Sequence, residues 1–306
     1  MWLIIAILAY FLLALEIILD KFLLSSKRVS HPAVYAFYSG TMGLFAFVFS
    51  PIGFHQIGFY KIVFSLAAGI IFIYGMLALF FAIKKSEASR VLPVVGATAP
   101  IIVFFLAAFF LGERLGIRGI LGIIALVSGG LSISFNLSQN KKQLFFKGFY
   151  FSILAGIFLA LSAVMMKGLY REDNFLNVFI WTRLGAFLGV ASFFLNPVWR
   201  KAILGSLGKF KKSEKEEKRS GLAFVLAKTL GGAGSFLKES AVSAAAASVT
   251  IVNAMVSIEY VFIFILGLLF SAWMPKIIQE KNDIKIIAQK ILAIGIIAGG
   301  IFLVSK

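Results

Sequence analysis

The chain alternates long apolar runs with short polar breaks. Cutting it at the polar and Pro/Gly breaks leaves ten segments: 2–24, 32–52, 60–83, 88–111, 115–135, 147–169, 175–196, 220–242, 247–271 and 285–304. A membrane-crossing helix needs ~20 apolar residues, and every segment is close to that length. Backbone amides in hydrocarbon must find partners inside their own segment, and a barrel strand needs only about half such a run. The pattern therefore predicts an all-α membrane protein with ten transmembrane helices. One connection is long, Pro197 to Arg219, and its closing Lys/Glu/Arg run reads as a mobile basic loop at 197–219.

Composition narrows the chemistry. Apolar residues make up 60% of the 306 positions and charged residues only 14%, which excludes an ordinary soluble catalytic domain. There is no cysteine, and the two histidines, His31 and His55, lie at segment edges, so thiol, haem and zinc chemistry have no ligand set. Gly205 to Lys209 has the wrong spacing for a phosphate loop. No catalytic residue, metal or cofactor is expected. The net charge of +17 comes mostly from cations between the apolar runs, where anionic headgroups and not nucleic acid are the natural partners. The amino terminus has no basic region ahead of its apolar run and reads as a span, not a cleaved leader. Lys and Arg concentrate in the odd-numbered connections, so the charge rule puts those connections in the cytoplasm and both termini outside.

The chain also repeats. Residues 13–51 align without a gap on 159–197, matching Leu13, Ala14, Lys21 and Pro51 with Leu159, Ala160, Lys167 and Pro197. Beyond the basic connection Ala68, Gly75 and Ala82 match Ala227, Gly234 and Ala241, and later Gly129-Gly130 matches Gly299-Gly300. The offset changes only at connections, as a duplication requires. Five helices per copy is an odd number, so the copies are predicted as two inverted five-helix repeats, 1–140 and 141–306. Inverted repeats are the architecture of alternating-access carriers, with a site near the bilayer midplane.

The turn from Ala82 to Pro93, and Phe109-Phe110-Leu111-Gly112-Glu113-Arg114-Leu115 at the next helix end, resemble the EamA-type domain of the drug/metabolite transporter superfamily. The resemblance spans nearly the whole chain. Its second copy runs through Gly231-Gly232-Ala233-Gly234 and Asn253 to Tyr260, but Phe270 to Pro275 stands where Gly112-Glu113-Arg114 would recur. It implies a multi-pass carrier in the plasma membrane that exports a small metabolite (an amino acid, a drug-like or a phosphorylated compound), as a monomer or homodimer. It also implies cytoplasmic termini, against the charge rule.

Ionisable groups inside spans mark candidate chemistry, since a charge in hydrocarbon must be paired or face water. Glu16, Arg183, Lys228 and Glu259 lie deepest and are the substrate-binding or coupling candidates. Their depths pair Glu16 with Lys228 and Glu259 with Arg183, as a site for an anionic group coupled to protons or as structural bridges. Asp20 shares a helical face with Glu16, and fits either a pathway mouth or a solvated helix end. Lys21 and Lys167 lie near helix ends and read as snorkelling anchors. Pro93 and Pro100 free backbone carbonyls; Thr98, Pro100, Ser257 and Tyr260 are the weaker pocket candidates. The leading reading is a secondary active transporter for a small-molecule substrate. Its alternatives are a flippase for an anionic lipid carrier, which needs a lateral groove, and an intramembrane enzyme, which lacks a nucleophile with its base.

Overall fold

The computed structural model describes residues 1–25, 31–86, 88–134, 146–209, 215–244, 247–273 and 284–305. Among the described residues the regular elements are all helical. In order they are α1 (Trp2–Ser25), α2 (Pro32–Met42), α3 (Ser50–Gly53), α4 (Phe59–Lys85), α5 (Ala88–Leu111), α6 (Ile117–Ser134) and α7 (Phe149–Tyr170). They continue with α8 (Phe175–Ser192), α9 (Pro197–Lys209), α10 (Lys215–Ser243), α11 (Val249–Ala254), α12 (Val256–Trp273) and α13 (Ile284–Ser305). A tighter 3₁₀ stretch, Gly43–Phe49, joins α2 to α3, and another, Phe193–Leu195, closes α8.

Among the described residues, eight helical stretches are long and apolar enough to cross a membrane. The segment expected at 115–135 is α6, whose apolar part, Ile117–Ile133, is slightly short of that length. The segment expected at 220–242 lies within α10, which is 29 residues long but diluted by charge.

Helix starts follow local chemistry. His31 accepts the Ala33 N–H at 3.2 Å ahead of Pro32, and Asn174 caps α8 through the Leu176 N–H at 2.9 Å. The basic connection contains a helix that the charge run had obscured. Asn196 accepts from the Val198 and Trp199 amides, at 3.0 and 3.2 Å, and Pro197 opens α9. Ile203 of α9 is fully buried and Ser206 bonds Tyr38 of α2 at 3.0 Å, so residues 197–209 are a docked helix and not a loop. Residues 210–214 lie outside the described residues.

The main packing pairs are α1 with α10, α4 with α7, α4 with α8, α5 with α7, and α6 with α13. At the α4–α8 crossing a side chain on Gly69 would strike the Thr182 carbonyl, and one on Gly185 the Leu66 carbonyl, so only glycine allows that approach.

The turn between α10 and α11 is held from both sides. Lys167 is 3% exposed and donates to the Val242 and Ala244 carbonyls, at 2.7 and 3.0 Å. It is thus a buried cap on the carbonyl end of α10, not a snorkelling anchor: the helix end supplies the partners that headgroups would have supplied. The side chain of its repeat mate Lys21 lies outside the described residues. Glu113 accepts the Val249 N–H at 3.0 Å and the Thr250 hydroxyl at 2.7 Å, capping α11 from the end of α5. Gly112, at φ +62°, turns the chain so that Glu113 can reach.

Candidate substrate cavity

A cavity of about 970 Å³ lies among α1, the α2–3₁₀ segment, α4, α5, α7, α8, α10, α11 and α12. Among the described residues, α6 and α13 contribute no lining residue. Most of the lining is apolar, and the polar groups fall into three clusters.

The first cluster joins α1 to α10. Lys228 donates to Glu16 at 2.7 Å and to Asp20 at 2.8 Å, its side chain only 5% exposed. Tyr35 of α2 donates its hydroxyl to Asp20, and the Lys228 ammonium lies 4.5 Å from the Tyr35 ring centre. The expected pairing of Glu16 with Lys228 is present, while Asp20 belongs to this buried network and not to a solvated helix end. A side chain on Gly231, one turn beyond Lys228, would collide with the Glu16 carboxylate, so this glycine makes room for the ion pair.

The second cluster surrounds Arg183 of α8. Its guanidinium donates to Ser235 at 2.7 Å and lies over the rings of Phe179 and Phe72, 4.6 and 5.1 Å from their centres. Glu239 faces it across a small pocket and accepts the Tyr170 hydroxyl at 3.4 Å, with Lys238 3.6 Å away. Glu239 is 5% exposed, although it lies only four residues before the end of α10. That position makes it look like a helix-end residue in the sequence.

The third cluster is Glu259 of α12, 6% exposed and lining the same cavity. The expected pair of Glu259 with Arg183 is not formed. Arg183 is turned toward Ser235 and Glu239, and no hydrogen bond or ion pair to the Glu259 carboxylate occurs among the described residues. The helix expected to run unbroken through 247–271 is interrupted at Met255, one turn before Glu259. Neither proline nor glycine marks that interruption in the sequence. Broken helices near the midplane are a common frame for substrate sites.

The weaker candidates divide. Pro100 and Tyr260 line the cavity, and the Tyr260 hydroxyl donates to the Leu92 carbonyl at 2.8 Å, beside Pro93. Thr98 packs against Gly156 of α7, and Ser257 is buried with its hydroxyl on the Ala254 carbonyl at 3.2 Å, so neither lines the cavity.

Fold and cavity define a multi-pass helical membrane protein with charged groups held around an internal space. The sequence model of the EamA-like transporter family matches residues 1–135. An uncharacterized transporter, YxxF, of Bacillus subtilis (strain 168) is 27% identical over 125 residues, 40% of this chain and 40% of that relative's length. A crystal structure of a protein at 14% identity superimposes over 99% of this chain and 96% of its own, with a TM-score of 0.67, which shows a shared fold. Residues 1–135 are thus similar to the EamA-like transporter family.

Proposed function

We propose that this protein is a secondary active transporter of the plasma membrane, exporting a small charged metabolite by alternating access. One observation carries the reading: Arg183 and Glu259 border a single cavity, and neither has an oppositely charged side chain in ion-pair contact among the described residues. Two charges of opposite sign without a direct salt bridge suit a substrate that brings its own carboxylate or phosphate for Arg183 and its own ammonium for Glu259, the chemistry of an amino acid. Ser235 and Glu239 satisfy Arg183 only in part and Glu259 has no ion pair of its own, so a substrate can supply what the fold leaves out.

Several features support ten spans in two inverted halves, 1–140 and 141–306. The first span packs on the eighth (α1 on α10) as the sixth packs on the third (α7 on α4). Both second spans of the halves end in a 3₁₀ stretch followed by a proline-initiated helix, at Pro51 and Pro197. The cavity draws lining residues from both halves. A cysteine introduced at Ser213 tests orientation: protection from an impermeant thiol reagent in intact cells follows the charge rule, and ready labelling follows the family pattern.

The coupling ion in this reading is the proton, carried by Glu259. Glu259→Gln keeps the shape and removes the charge, and should assemble normally yet lose pH-dependent net transport. The substrate is found by comparing metabolites accumulated in cells with and without the protein. A zwitterionic compound retained in cells lacking it, with Arg183→Gln behaving like the deletion, supports the proposal. Identical metabolite profiles would overturn it.

A further inference from the structure

The cavity is open at its side. Five of its lining residues are exposed: Phe45, at 70%, on the 3₁₀ stretch after α2, and Val225, at 48%, Thr229, Gly232 and Ala233 on α10. Phe45 lies near the middle of the Pro32–Gly53 span, and Thr229 to Ala233 near the middle of the apolar part of α10. An opening at mid-span faces acyl chains and not water.

Aromatic contacts close the seam above and below this opening. At one end Phe224 of α10 meets Tyr35 and Tyr38, with ring centres 5.6 and 5.9 Å apart. At the other Phe236 stacks on Phe49 at 5.0 Å. Between them α2 and α10 are not among the closely packed helix pairs, whereas α4 and α8, the matching pair if the halves are duplicates, are zipped through Gly69 and Gly185. The charged groups lie directly inside. Lys228 is one position before Thr229, and the Arg183 stem approaches Gly43 on the other rim, where a side chain would be 3.5 Å away.

We propose that the opening is a lateral window through which the cavity takes a single-chain amphiphile, a zwitterionic head inside and an acyl chain passing between Phe45 and Gly232 into the bilayer. The head-group half of this proposal rests on the reading of Arg183 and Glu259 given above. The window half does not. The fit follows from the two surfaces the ligand would meet, an apolar rim at acyl depth and opposite charges behind it.

The test uses the full chain in detergent, with native mass spectrometry counting bound ligand. The probes are lauroyl-lysophosphatidylethanolamine and glycerophosphoethanolamine, which share a head and differ by the acyl chain. Gly232→Phe places a ring at the window, where an added Cβ meets nothing within 4 Å; Gly295→Phe adds the same ring on α13, where an added Cβ is equally unobstructed, away from the cavity. The expected result is one acylated ligand retained by wild type and by Gly295→Phe. Gly232→Phe should lose it at least about tenfold, and glycerophosphoethanolamine should bind at least about tenfold more weakly. Equal retention by all three proteins would make the lipid a non-specific annulus and overturn the proposal. Equal binding of both probes would also overturn it, yet leave the metabolite-carrier reading standing. A dimer that excludes the lipid and is broken by Gly232→Phe would assign the window to a second copy instead. Acylated binding that depends on the window but survives Arg183→Gln would keep the window and remove the zwitterionic head site.

Discussion

Lys228 illustrates how much one buried charge can organise. Its ammonium offsets two carboxylates, Glu16 and Asp20, and all three side chains are withdrawn from water. Removing the cation strands both acids, and breaking a buried ion pair from one side costs about 3–5 kcal/mol. Lys228→Met should therefore lower the thermal midpoint in detergent by many degrees, whereas Glu16→Gln, which leaves Asp20 to hold Lys228, should cost clearly less. Equal stability of Lys228→Met and wild type would mean that the network is solvated. His31 makes a prediction about pH. Burial, with Lys84 nearby, holds its imidazole below the ordinary histidine range, and its ring nitrogen must stay unprotonated to accept the Ala33 N–H. A depressed folded value means that the cap's contribution is present above the ordinary range, near 6.5, and is lost as pH falls through the folded value. Thermal unfolding should show lower stability in mild acid than at neutral pH. His31→Asn, which caps without titrating in this range, should remove that pH dependence.

At the scale of elements, the α10–α11 turn is clamped by Lys167 on one helix end and Glu113 on the other. Lys167→Met leaves two buried carbonyls without their donor and should destabilise by about 1–3 kcal/mol. Exchange of backbone amides around Val249 to Val252 should rise in Glu113→Ala, since α11 then keeps only its Ser248 cap; unchanged exchange would show that Ser248, which accepts the Ile251 N–H at 3.1 Å, suffices alone. This scale also separates what the sequence makes legible from what it hides. The span boundaries are readable because each apolar run is long and ends in charge, proline or glycine. Helix α9 is hidden, because its cap Asn196 and Pro197 stand before a basic run that hydropathy treats as linker. The break at Met255 has no residue to announce it. The Glu16 and Lys228 pair is legible from depth along two helices, but Arg183's partner is not: Ser235 is decided by which faces of α8 and α10 meet, and one sequence without tertiary contacts does not specify that. Lys167 and Glu239 mislead for one reason. Nearness to a helix end stands in for exposure, and here both ends are packed.

For the whole molecule, the proposed alternating access requires the cavity to be reached in turn from each side of the membrane. Ser39 borders the cavity from α2, its hydroxyl buried and without a hydrogen-bond partner among the described residues, so Ser39→Cys removes no such bond. The chain has no native cysteine, which leaves that thiol as the only one. Labelling Ser39→Cys with an impermeant thiol reagent in right-side-out and inside-out vesicles measures access directly. Alternating access predicts modification from both faces, in each case slowed by saturating substrate. Modification from one face only, at a rate indifferent to substrate, would contradict it.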